Sequence, residues 1–255
     1  MRYALGAMRP FLMLILALET ATLTGSVALV EASIPEGVSR PAMKIVGEIT
    51  LNLQSTHSER LMPSIRSLLE EASLKIHDLQ GIALSLGPGS FTGLRIGVST
   101  VKGLAYALQI PVVGVSTLEA LAGNVTYHPA TICPVLDARK KEVYAAFFRG
   151  GDEGAVGRLS EDWVLSPEEL CRRVAERTLF LGNGAEAYAG ILRKNLGSLA
   201  FFASPEFSLP RALTVAKLSL AKFQTGQNLD LFSFTPIYIR RSEAEIHYET
   251  KETTK

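Results

Sequence analysis

The stretch GPGSFTGLRIG (87–97) lies between the apolar runs GIALSL (81–86) and VSTVKGLAYAL (98–108). It places four glycines in eleven residues beside a helix-like pattern, and each Gly inside a helix costs about 1 kcal/mol relative to Ala. Two arrangements offset that cost. One is a phosphate cradle at a strand-to-helix turn; the other is close approach of a second backbone to a helix face cleared of side chains. The spacing fits neither standard phosphate motif. A Walker A loop needs Lys directly after its last Gly, whereas Gly93 precedes Leu94 and the next Lys is Lys102. The dinucleotide fingerprint allows two residues in its second gap, and Gly89 and Gly93 enclose three. Pro88 removes one N–H donor from any cradle. Anion binding at the helix start, Ser90 to Thr92, stays open.

The helix over 90–108 carries a core stripe of Leu94, Val98, Val101, Ala105 and Leu108. Beside it runs a small-residue stripe of Gly93, Gly97, Thr100 and Ala107, and Arg95 and Lys102 are its only charges. A helix so apolar all round is buried on most faces. Either its own domain sandwiches it, or the small face receives a partner's helix.

Outward from this helix, LMLILALET (12–20), SVALVEA (26–32) and KIVGEITLNL (44–53) read as strands, with SIPEGVSRPAM (33–43) as a loop. HSERLMPSIRSLLEEA (57–72) reads as a helix with Leu61, Ile65, Leu68 and Ala72 on one face and Met62 and Leu69 widening it. GIALSL and PVVGVS (111–116) supply further strands. The second half repeats the theme: TICPVL (131–136) and EVYAAFF (142–148) flank the turn DARKK. Strands then precede helices at DWVLSPEEL (162–170) and TLFLG (178–182), with Ser166 and Pro167 opening the first of these helices, and a last helix spans 211–225. Two strand-rich halves with helices after their hairpins predict a duplicated α/β layout with mixed sheets. The expected lobes are 12–110, with the helix at 210–226 packing back onto it, and 111–209, followed by a polar tail at 242–255.

The chain has 255 residues, 47% hydrophobic and 20% charged, and a formal net charge of +1. That balance predicts no strong independent grip on nucleic acid. No segment interleaves basic and aromatic residues, so no base-stacking platform is visible. Cys133 and Cys171 fall short of a disulfide scaffold and suit a reducing cytoplasm. Arg2, Arg9 and FLMLILAL (11–18) resemble a signal peptide, but the run ends at Glu19 and is too short to span a bilayer. It reads as a buried first strand, with residues 1–12 an extension or Met13 the start.

The series LALETATLTGSVAL, HSERLMPSI, GPGSFTGLRIGVSTVKGLA, IPVVGVSTLEALA, LDARKKEVYAAFF and PIYIR, in this order, closely resembles the bacterial TsaB family, known earlier as YeaZ. The resemblance implies the two-lobed actin, sugar kinase and Hsp70 fold, each lobe a ribonuclease-H-like mixed sheet with flanking helices. It implies a scaffold role in making tRNA N6-threonylcarbamoyladenosine, beside the catalytic paralogue TsaD and the ATPase TsaE. On this reading tRNA is met only through the complex, no membrane is involved, and a homodimer is the alternative state. No cofactor is bound tightly, and ATP and magnesium act at the level of the complex. Docking is expected through the helices at 57–72 and 90–108, with Leu61, Ile65, Leu69, Gly93, Gly97, Thr100 and Leu104 at the interface.

The catalytic paralogue carries a His-x-x-x-His pair on the matching helix, but here His57 is followed four residues later by Leu61. A metallopeptidase reading therefore lacks its metal ligands. Glu19 and Thr20 sit where the superfamily's first phosphate hairpin places a magnesium-holding acid; a plain turn is the other reading. Asp137, Arg139 and Glu142 either close the DARKK turn by a salt bridge or face an interlobe cleft that holds nucleotide or contacts TsaD. Gly182-Asn183-Gly184 faces the same cleft or merely caps a helix. The competing function is an ATP-dependent kinase or phosphohydrolase built on Glu19 and Asp137.

Overall fold

The computed structural model describes residues 12–33, 42–53, 57–151 and 155–240. Most of the expected loop 33–43, the extension before Leu12 and the polar tail 242–255 lie outside the described residues.

The first sheet contains β1 (Leu12–Glu19), β2 (Thr24–Ser33), β3 (Ala42–Asn52), β4 (Gly81–Gly87) and β5 (Val112–Ser116), in the order β3-β2-β1-β4-β5. β1, β2 and β3 are antiparallel neighbours, and β4 and β5 run parallel to β1. β1 is apolar on both faces because both are covered. Leu14, Leu16 and Leu18 pack with α1 (His57–Glu71) and α2 (Phe91–Leu108). Met13, Ile15 and Ala17, on the opposite face by strand alternation, pack with α7 (Ala212–Gln224).

The second sheet contains β6 (Thr131–Arg139), β7 (Glu142–Ala145), β8 (Phe148–Gly150), β9 (Val156–Arg158), β10 (Trp163–Leu165), β11 (Thr178–Leu181) and β12 (Ala200–Phe202). Its main path is β10-β7-β6-β11-β12, with β8 on β6 and β9 on β8. Strand directions repeat those of the first sheet: β6 and β7 are antiparallel, as are β7 and β10, while β11 and β12 run parallel to β6. β6 is thus the counterpart of β1, and the β6–β7 turn of the β1–β2 turn. The helices are α3 (Thr117–Ala122), α4 (Pro167–Arg173), α5 (Asn183–Ala187) and α6 (Ala189–Leu196). At the start of α4 the Glu169 N–H donates to Ser166 Oγ at 3.2 Å, with Pro167 in the first turn. The duplicated mixed sheets with flanking helices are as the sequence implied.

Three details differ from the sequence reading. β5 belongs to the first sheet, because Ile82 pairs with Val112 and Ser85 with Val115; the first unit therefore runs past the boundary expected at 110. β8, β9 and β12 are three residues each, too short to display strand alternation. Residues after α7 also return to the first lobe: the Leu229 N–H donates to Val112 O at 2.8 Å and the Ile237 N–H to Leu86 O at 2.7 Å. Arg240 then reaches the second lobe, donating to Ala138 O at 3.0 Å and pairing with Glu142 at 3.2 Å.

Candidate functional site

The β1–β2 turn is the innermost part of the site. Glu19 is fully buried and Thr20 nearly so. One Glu19 oxygen accepts the Ala21 N–H at 2.6 Å. The other has no hydrogen-bond partner among the described residues, and neither does the hydroxyl of Ser85. Burial pushes the Glu19 carboxyl up to about 7, with the nearby Ser85 hydroxyl and the Ala21 N–H opposing. The superfamily's magnesium would need an ionised, reachable acid here. Glu19 is buried and does not line the interlobe cavity, so its carboxyl does not reach an ion held there.

The glycines of α2 explain this burial. A Cβ on Gly93 would strike the Thr20 carbonyl oxygen, and one on Gly97 would strike Thr20 Oγ1. A Cβ on Gly89 would strike the Ala21 carbonyl. The small-residue stripe therefore admits the chain's own β1–β2 turn, and Gly93 and Gly97 are buried inside the lobe. This corrects the expectation that they face a partner. The physical reason is close approach, of the Thr20 backbone at Gly93 and of the Thr20 side chain at Gly97, which leaves no room for a Cβ at either position. His57, at the start of α1, also serves this turn: its Nε2 lies 2.6 Å from Thr22 O.

Leu61, Ile65 and Leu69 are likewise interior, packed with Leu16, Leu29 and Val98 in the first core. Thr100 and Leu104 are half-buried. The outward surface of the helix pair consists instead of Met62, Pro63, Arg66 and Ser67 on α1, and Arg95, Ser99, Gly103, Tyr106 and Ala107 on α2. Nothing lies within 4 Å of where a Gly103 Cβ would stand.

Between the lobes lies a cavity of about 590 Å³. Asp137 and Arg139 line it, as expected for cleft residues, and so does Asn183; Glu19, Thr20 and Glu142 do not. Asn183 both opens α5 and braces the opposite turn, its Oδ1 accepting the Asp137 N–H at 3.1 Å. Asp137 Oδ1 accepts the Arg139 N–H at 2.9 Å, and the side chains pair loosely at 3.8 Å. Both readings of this turn therefore hold: it is internally closed, and it faces the cleft.

The sequence reading missed one feature of the cavity wall. Phe91 and Tyr238 stack with centroids 4.5 Å apart, and the Arg95 guanidinium lies 3.9 Å from the Phe91 centroid. Arg95 Nε also donates to Tyr238 Oη at 3.3 Å. An aromatic and cationic surface thus exists, contrary to expectation. It joins α2 to Tyr238, 143 positions beyond Arg95, so no local pattern could reveal it; PIYIR was the one hint.

Comparison with known proteins accords with this architecture. Residues 44–248 match the family described as "TsaD: tRNA N6-adenosine threonylcarbamoyltransferase". The chain is 32% identical to the tRNA threonylcarbamoyladenosine biosynthesis protein TsaB of Bacillus subtilis, over 91% of this chain and 96% of the relative. It is 30% identical to the protein of the same name in Escherichia coli, over 74% and 82%. Among solved structures, YeaZ from Pseudomonas aeruginosa matches with a TM-score of 0.72 at 30% identity, covering 89% of this chain and all of that one. The chain therefore belongs to the TsaB (YeaZ) family, within the broader group matched by the TsaD model.

Proposed function

We propose that this chain is a non-catalytic scaffold and activating subunit in tRNA N6-threonylcarbamoyladenosine biosynthesis, docking to TsaD. Family membership supports the pathway. The observation that carries the non-catalytic part is the burial of Glu19: the position that would hold magnesium in a phosphotransferase is sealed beneath α2. Docking uses the outward surface of α1 and α2 around Met62, Ser99, Gly103 and Tyr106, where a partner helix meets little steric resistance. TsaE joins the assembly, tRNA is engaged within it, and ATP and magnesium act at the level of the complex rather than as tight ligands of this chain. The setting is the cytoplasm. Among the described residues no helix is long and apolar enough to cross a membrane.

Copurification with TsaD followed by reconstituted tRNA modification tests this reading. Gly103→Arg is expected to prevent co-elution with TsaD and abolish modification while leaving the fold intact. Co-elution of this variant moves the docking face elsewhere. The kinase alternative retains Asp137 in a cavity of suitable size, and calorimetry separates it. Micromolar magnesium-ATP binding by the isolated chain, lost in Glu19→Ala, would overturn the non-catalytic assignment.

A further inference from the structure

The second lobe carries a basic rim at the end of its sheet opposite the cleft. β6, β11 and β12 all begin there, with Thr178 level with both Thr131 and Ala200. Two helices end at the same place: α4 stops four residues before Thr178 is reached, and α6 stops shortly before Ala200. Arg172 and Arg173 stand in the last turn of α4, Arg193 and Lys194 in that of α6. Arg177 directly precedes β11. All five are exposed, and none forms an ion pair with a described residue.

The only acid within 172–177 and 193–199 is Glu176, and it is already engaged by Arg149 and Thr131. Three of the arginines lie on aromatic rings. Arg173 lies 4.6 Å from the Trp163 centroid, Arg177 4.4 Å from that of Phe201, and Arg193 4.5 Å from that of Phe202. Favourable placement at helix C-termini accounts for Arg172, Arg173, Arg193 and Lys194. It does not account for Arg177, which is outside any helix, nor for the choice of Arg over rings. A guanidinium laid flat on a ring is held in place while its N–H edge stays free for a planar or tetrahedral oxyanion.

We infer that this rim contacts the phosphate backbone of RNA, as an auxiliary surface of the modifying assembly. The inference rests on the proposed role in tRNA modification for the identity of the polyanion. The chain's net charge of +1 makes the rim too weak to capture RNA alone, so its contribution adds to that of a partner. Contacts to phosphates position the RNA without reading its sequence.

The double variant Arg172→Glu/Lys194→Glu tests the rim, because neither residue stacks on a ring or pairs with an acid among the described residues. Binding of unmodified tRNA to the chain plus TsaD is measured across roughly 50 to 200 mM salt. The affinity is expected to fall on the order of tenfold, and the log–log salt slope to become shallower by about two units. Arg177→Met, which keeps the ring covered and removes the charge, is expected to flatten the slope by about one unit. Thermal melting of both variants at the wild-type temperature excludes a folding defect. Unchanged affinity and slope in both variants overturn the inference. So does loss of TsaD co-elution with tRNA binding retained, which makes the rim a protein-docking face. Failure of the wild-type chain to support modification sinks the pathway assignment instead, and the binding measurement still decides whether the rim holds RNA.

Discussion

The β1–β2 turn and the β6–β7 turn occupy equivalent positions in duplicated sheets, yet the acid of the first is buried while that of the second lines the cleft. In both, a glycine at the following helix start presses on turn backbone: Gly93 against Thr20, and Gly184 2.7 Å from the Leu136 carbonyl carbon and 2.9 Å from the Asp137 nitrogen for a built Cβ. Beyond that shared contact they diverge. The first turn carries a buried acid. The second carries Arg139, Lys140 and Lys141, all at positive φ, between 53° and 64°. Lys140 and Lys141 are the central pair of a tight hairpin turn, where Asn-Gly is the easier choice. Burial in one lobe keeps the Glu19 carboxyl out of the cleft, whereas the turn of the other places Asp137, Arg139 and Lys140 along it. Both turns reach the cleft, the first through Ala21, Thr22 and Leu23 and the second through Asp137, Arg139 and Lys140, but only the second turn brings charged side chains to it.

The comparison breaks first at α2. Gly93→Leu is expected to unfold the first lobe or cost about 3 kcal/mol or more, since rigid backbone blocks the new side chain. Circular dichroism melting reads this loss. Gly97→Ala meets only the Thr20 hydroxyl, so Thr20→Ala is expected to restore most of the stability that Gly97→Ala removes. Absence of coupling in that cycle would show the contact to be softer than its geometry.

Glu19 supplies the next largest effect. Its folded-state pKa of about 7 exceeds the ordinary value of 4.5, so the native state binds the proton more tightly. Stability from this group is fully present below about pH 4.5 and is lost as pH rises through about 7. The shift corresponds to about 3 kcal/mol as an upper limit. Glu19→Gln keeps an acceptor for the Ala21 N–H and is expected to be more stable than wild type at pH 8 but not at pH 4. Parallel urea midpoints at the two pH values check it.

The β6–β7 turn offers a smaller change of opposite sign. Lys140→Asn/Lys141→Gly relieves the positive-φ strain and is expected to stabilise the chain by about 1 kcal/mol or somewhat more. Chemical denaturation measures the gain. Smallest of all, Gly103→Arg is expected to stabilise the chain by about 0.5–1 kcal/mol, the gain from replacing a helical Gly where its surroundings are empty. Set beside Gly93→Leu, it separates the inward and outward faces of one helix.

Most of the fold was legible. Continuous apolar runs marked β1 and β2, period-3.6 patterns marked α1 and α2, and Ser166-Pro167 marked the start of α4. β9 and β12, three residues each, were not legible, nor was the return of β5 to the first sheet. The site was legible only in part. The sequence leaves Asp137, Arg139 and Asn183 each between a turn or cap role and the cleft, and they serve both. Glu19, Thr20 and Glu142, named for the same cleft, do not line it. Leu61, Ile65, Leu69, Gly93 and Gly97 were recognised as contact residues but given the wrong neighbour, because a stripe records that something packs there and not what does.

Sequence alone determined that GPGSFTGLRIG launches a helix, forms neither standard phosphate motif, and has a face cleared for another backbone. Those properties follow from spacing and from the missing Cβ atoms. Only the tertiary structure decided that the backbone in question is the chain's own, at Thr20. The contact joins segments far apart in sequence, and which of two possible neighbours fills a cleared face depends on how the sheet carries β1 beneath α2.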